Sequence, residues 1–153
     1  METLLPDWAP NVHPMLVHFP IAIFITAIVT DLSHLLLKKE WLRKTVTALF
    51  VFAALVALVT YLSGKQAIDI VSVPMRAELT ASNHSDWGLY TMLYFSAFAI
   101  VRGFLFWKEW DKKRMVAILL FCGGVAGAAL IGKTADLGAK LVYKYGVGIQ
   151  KLK

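Results

Sequence analysis

Apolar residues run along this chain in four long blocks, without the three-to-four-residue alternation of a helix on a soluble core. The first block, Met15 to Leu37, is interrupted by His18, Pro20, Asp31 and His34 and closed by Lys38-Lys39-Glu40. The second, Thr45 to Ser63, carries no charge and ends at Gly64-Lys65. The third, Trp87 to Trp107, has Trp at both edges and holds Arg102. The fourth, Met115 to Gly132, is rich in small residues, and Gly123 and Gly127 have the small-xxx-small spacing that lets helix backbones approach closely. Each block approaches the roughly 20 residues needed to cross a hydrocarbon core. The pattern predicts helices over about 14–37, 45–63, 85–107 and 114–145, the last continuing as an interfacial extension until Gly146-Val147-Gly148 stops it. An outer loop over 64–84 is broken by Pro74 and by Thr80-Ala81-Ser82-Asn83. The expected fold is an all-α integral membrane protein, a four-transmembrane-helix bundle forming one domain over 1–153. No internal repeat is visible.

Composition sharpens this picture. Of 153 residues, 58% are hydrophobic and 17% charged, and the mean hydropathy is +0.63, against the roughly 45–50% apolar content of soluble domains. The spans leave little chain for a soluble catalytic domain, and no nucleophile–base constellation suggests a hydrolase. The single cysteine, Cys122, excludes an intrachain disulfide, an iron–sulfur site or covalent haem attachment. A net charge of +6 could attract nucleic acid, but the basic residues flank apolar blocks, as they do when they set membrane topology. Lys38 to Lys44 and Lys108 to Arg114 hold four Lys or Arg each. Those short loops are expected inside, which places both termini on the outer side of an inner (cytoplasmic) membrane. Lys133, Lys140, Lys144, Lys151 and Lys153 in the tail weigh against that orientation. The start of the chain, with Glu2 and Asp7 and no basic residue before His13, does not read as a cleavable signal peptide.

Ionisable residues at membrane depth are costly and each needs a reason. Asp31 and Arg102 lie about equally deep from the outer boundary, and a pair would relieve both desolvation penalties. His13 and His18, five residues apart, point about 140° from each other on a helix. His18 and His84 are each followed at i+4 by a small residue, Ala22 and Gly88, leaving room for a flat ligand such as a porphyrin between helices. Drawn from Pro14 and Trp87, the boundary leaves His18 roughly 6 Å below it and His84 roughly 4–5 Å above. Histidines near helix ends also commonly cap or meet headgroups, and a ligand is not required by their spacing.

The run His13-Pro14-Met15-Leu16-Val17-His18-Phe19-Pro20-Ile21-Ala22, the Ser63-Gly64 end of the second block, His84, and the stretch from Gly138 to Gly148 together resemble an uncharacterised prokaryotic family of four-helix membrane proteins, a domain of unknown function. The resemblance covers nearly the whole chain. It implies a redox-associated membrane protein with haem b held by the motif histidines, His18 and His84 as axial ligands and His13 in reserve. Electrons would pass between the outer side and quinone or a partner subunit. The competing expectation is a cofactor-free structural or assembly subunit of a larger respiratory complex, whose Gly123/Gly127 face would turn outward. A small-solute transporter is weaker, for want of a discontinuous helix pair or inverted repeat.

Overall fold

The structure, a computed structural model, describes residues 11–149. The acidic start with Glu2 and Asp7 and the terminal Lys151 and Lys153 lie outside the described residues. Four long helices follow one another: α1 His13–Leu37, α2 Glu40–Ile70, α3 Glu78–Trp107 and α4 Arg114–Ala139. A π-helical turn, Lys140–Lys144, continues α4, and Gly146 and Gly148, at φ 70° and 77°, take the left-handed conformations that end it. In α1 the first turn, His13–Leu16, is separated from His18–Leu37 at Val17, yet Val17 keeps helical angles (φ −59°, ψ −28°). The interruption is the hydrogen bond that Pro20 cannot donate, with no change of direction.

The outer loop expected over 64–84 is mostly helix. α2 continues six residues past Gly64, to Ile70, and α3 begins at Glu78, so the connection shrinks to 71–77, itself ending in a 3₁₀ turn at Met75–Ala77. Nothing between Lys65 and Ile70 breaks the helix, Glu78 complements the positive N-terminal end of α3, and the fully buried Ala77 anchors the turn. Local turn preference at Ser82 and Asn83 yields to that packing.

Each helix packs on its sequence neighbours, and α1 closes the ring against α4. α1 and α3 are therefore diagonal partners across the bundle, as are α2 and α4. The core is filled by Phe24 of α1, Phe50 of α2 and Phe95 of α3, with small residues of α2 and α4 making room for them. Phe24 and Phe95 stack at 3.8 Å between centroids, with Phe50 edge-on to Phe24 at 5.0 Å. Ala53, Ala54, Ala57, Gly124 and Gly127 line α2 and α4. A Cβ on Gly127 would lie 2.5 Å from Phe24 Cζ, and one on Gly123 2.7 Å from Phe98 Cε2. The Gly123/Gly127 face thus packs inward, against the outward turn expected of an assembly subunit. Large apolar residues such as Val29, Leu55, Ile100 and Leu119 cover the outside, the inverted arrangement of a protein solvated by lipid.

One end of the bundle is rich in Lys and Trp. Lys108 lies over the Trp107 ring at 4.1 Å, and Trp41 and Trp110 are exposed beside it. Here Arg43 is buried: its Nη1 donates to both carboxylate oxygens of Asp111 (2.9 and 3.0 Å), and Nε and Nη2 donate to Glu40 (2.9 and 2.7 Å). This clamp ties the α3–α4 connection to the start of α2. Deeper in, Arg102 donates to both oxygens of Asp31 at 2.7 Å, with its guanidinium 4.9 Å over the Phe50 ring.

Candidate functional site

At the opposite end the chain brings His13 and His84 together. Their ring centroids are 6.3 Å apart and the planes cross at 71°. His18 is exposed, as the 140° turn from His13 requires, and so is Ala22. His18 does not join His84, and Ala22 makes no room beside it; Gly88 faces Tyr61 of α2 at 3.9 Å. The depth mismatch between His18 and His84 disappears with the change of partner. α3 starts early enough to hold His84 within its second turn, and His13 lies at the same level. Among the described residues, His34 lies far along α1 near Asp31, its Nδ1 buried without a partner.

Both imidazoles are held in the same way. His13 Nδ1 lies 3.1 Å from the Thr60 carbonyl oxygen and His84 Nδ1 3.0 Å from that of Thr134. A carbonyl can only accept, so each Nδ1 carries the proton and each Nε2 keeps its lone pair. The two threonines reach back through their hydroxyls. Thr60 Oγ1 donates to the Leu16 carbonyl (3.4 Å), the acceptor left free by Pro20; Thr134 Oγ1 lies 3.2 Å from the Trp87 carbonyl and 2.9 Å from Thr91 Oγ1, which donates to the same carbonyl at 2.8 Å. Four residues after each threonine stands a glycine against which the ring rests: an added Cβ would come within 2.9 Å of His13 Cε1 at Gly64 and 3.0 Å of His84 Cε1 at Gly138. In a helix the side chain at i+4 shields the carbonyl of residue i, and glycine leaves it open to a ring nitrogen. The sites differ at two contacts: His13 Nδ1 is also 3.1 Å from Ser63 Oγ, whereas Leu137 follows Thr134 by the same three residues, and Thr134 meets the hydroxyl of Thr91, whose counterpart beside Thr60 is Pro20.

These contacts relate the two halves of the chain. An offset of 71 residues relates His13 to His84, Leu16 to Trp87, Phe24 to Phe95 and Asp31 to Arg102. An offset of 74 (134 − 60 and 138 − 64) relates Thr60 to Thr134 and Gly64 to Gly138. The histidines, the stacked phenylalanines and the ion pair thus each join corresponding positions of α1 and α3. The correspondence lies in these contacts and does not extend to a repeat visible in the sequence.

The four-helix bundle of a membrane protein thus brings two histidines together at one of its ends. The chain belongs to the family described as predicted membrane protein, DUF2231, which matches residues 9–151. No curated protein and no solved structure matches the chain.

Proposed function

We propose that His13 and His84 hold haem b between them and that the protein is a small b-type cytochrome-like electron carrier. The observation that carries this reading is the ring separation. With the two Nε2 atoms facing a shared metal, bonds of about 2.0–2.1 Å and a ring radius of about 1.1 Å on each side sum to roughly 6.3 Å; the rings stand 6.3 Å apart in an edge-to-face contact, a separation compatible with that arrangement. The donor set agrees as well. Two imidazoles could take the two axial positions of an iron whose other four ligands a macrocycle supplies. The haem would supply a reversible one-electron couple. The chain's own part is to present two neutral imidazoles with free Nε2 atoms and to fix their rings through Nδ1, the outer-shell contact that orients metal-bound histidine. With the basic loops at Lys38–Lys44 and Lys108–Arg114 inside, the histidine pair would face the outer side of an inner membrane, where quinone or a partner subunit could exchange electrons with it. The inward Gly123/Gly127 face removes the feature that a cofactor-free assembly subunit would offer.

Absorption spectra of the full chain, purified in detergent after growth with haem supplied, test the reading. A reduced-minus-oxidised α-band is expected, lost in His13→Ala and in His84→Ala and retained in His18→Ala and His34→Ala. Protein without the band, or a band unchanged in either of the first two variants, overturns it.

A further inference from the structure

We propose that Thr60 and Thr134 are positioning residues that lock both imidazoles in the Nδ1–H tautomer and thereby select Nε2 of each as the atom free to bind a metal. Three observations meet at each threonine. Its carbonyl receives the ring proton, its hydroxyl crosses to the carbonyl three residues after the histidine, and the glycine at its i+4 position opens the carbonyl to the ring. A threonine in a helix ordinarily turns its hydroxyl back to the carbonyl at i−4, as Thr91 does toward Trp87 at 2.8 Å. Thr60 and Thr134 instead bind across helices, α2 to α1 and α4 to α3. The hydroxyl pins the histidine-bearing turn so that carbonyl and Nδ1 stay within hydrogen-bonding reach. The same clasp recurs in both halves of a chain that shares little else between them, which separates it from incidental packing. Free imidazole favours the Nε2–H form, so the protein must act on the ring to obtain the other. The tautomer is a property of the chain itself; its use as a ligand device rests on the haem reading.

The test is nitrogen NMR of histidine-labelled full-length protein in detergent, without added haem and at a pH where the imidazoles are neutral. Both His13 and His84 are expected in the Nδ1–H form. Thr60→Val should move His13 alone toward the Nε2–H form and Thr134→Val His84 alone, with Thr60→Ser and Thr134→Ser restoring the native signal. In hemin titrations of the same proteins, each valine variant should lose about 10–100-fold in affinity and each serine variant should recover it. An Nε2–H signal in the wild type, or valine variants whose tautomers do not change, overturns the proposal. Native tautomers in a protein that takes up no hemin would support the positioning role and sink the haem reading instead.

Discussion

Asp31 and Arg102 occupy the same position in the two halves of the chain and neutralise each other across the bundle axis. Both are almost wholly buried, at 1% and 3% exposure, and the contact is bidentate. Two like copies of the hairpin would set like charges face to face here. The opposite signs allow the halves to close.

Removing one partner leaves an uncompensated charge in a low-dielectric core. Asp31→Asn or Arg102→Met should each cost about 3–5 kcal/mol, and the double variant should cost well under the sum of the two. The exchange Asp31→Arg with Arg102→Asp should keep most of the stability, since the positions are equivalent. Thermal unfolding in detergent decides both points; an exchanged protein no more stable than the worse single variant contradicts the equivalence.

Alanine at Gly64 or Gly138 drives a methyl group against the imidazole that rests there. Each substitution should displace its own histidine resonance and weaken hemin uptake by at least tenfold. Gly132→Ala, which meets nothing within 4 Å, serves as the control, with native resonances and unchanged or slightly higher helix stability. Equal behaviour of all three variants would mean that the rings do not rest on these glycines.

At the Lys-rich end the two sides of the Arg43 clamp are unequal. Arg43→Ala strands the buried Asp111 carboxylate, whereas Asp111→Asn leaves Arg43 with Glu40, so the arginine variant should melt lower. The difference should amount to about 1–3 kcal/mol. The reverse order would mean that Glu40, exposed as it is, does not hold Arg43 once Asp111 is neutralised.

Orientation is open to chemical labelling. In a Cys122→Ser background, single cysteines at Lys39 and Lys112, both exposed, should resist an impermeant thiol reagent on intact cells and react once the membrane is opened. Labelling of intact cells at these sites would invert the assignment and bring the histidine pair to the cytoplasmic side.

The spans are readable from the four apolar blocks because lipid imposes length and hydropathy directly. The Asp31–Arg102 pair is readable for a related reason: an isolated charge at that depth must find its opposite. The choice between His13 and His18 needs helical phase as well as depth. Eighteen residues are five turns of an α-helix, and both His13 to Asp31 and His84 to Arg102 span eighteen (31 − 13 and 102 − 84). Once Asp31 and Arg102 face inward, those two histidines must as well, and His18 must face out. Small i+4 neighbours on the same helix are a poorer guide; the glycines that matter, Gly64 and Gly138, stand on adjacent helices, where the family motifs mark them but no spacing rule ties them to the histidines. The Arg43–Asp111 clamp is likewise hidden, because Arg43 sits among lysines whose exposure is the ordinary case.

The order in which the pairs are completed bears on how the protein is made. Asp31 emerges from the ribosome with α1, long before Arg102 exists. During that interval a carboxylate at membrane depth has no partner and is penalised by up to about 2.5–3.5 kcal/mol at the bilayer centre on insertion scales, a cost the first hairpin lowers by keeping Asp31 close to the Lys38–Lys44 interface. Arrival of α3 then supplies the guanidinium, the second phenylalanine of the stack and the second histidine in one event. The first hairpin alone is thus an unfinished half, carrying a charge that only its partner neutralises.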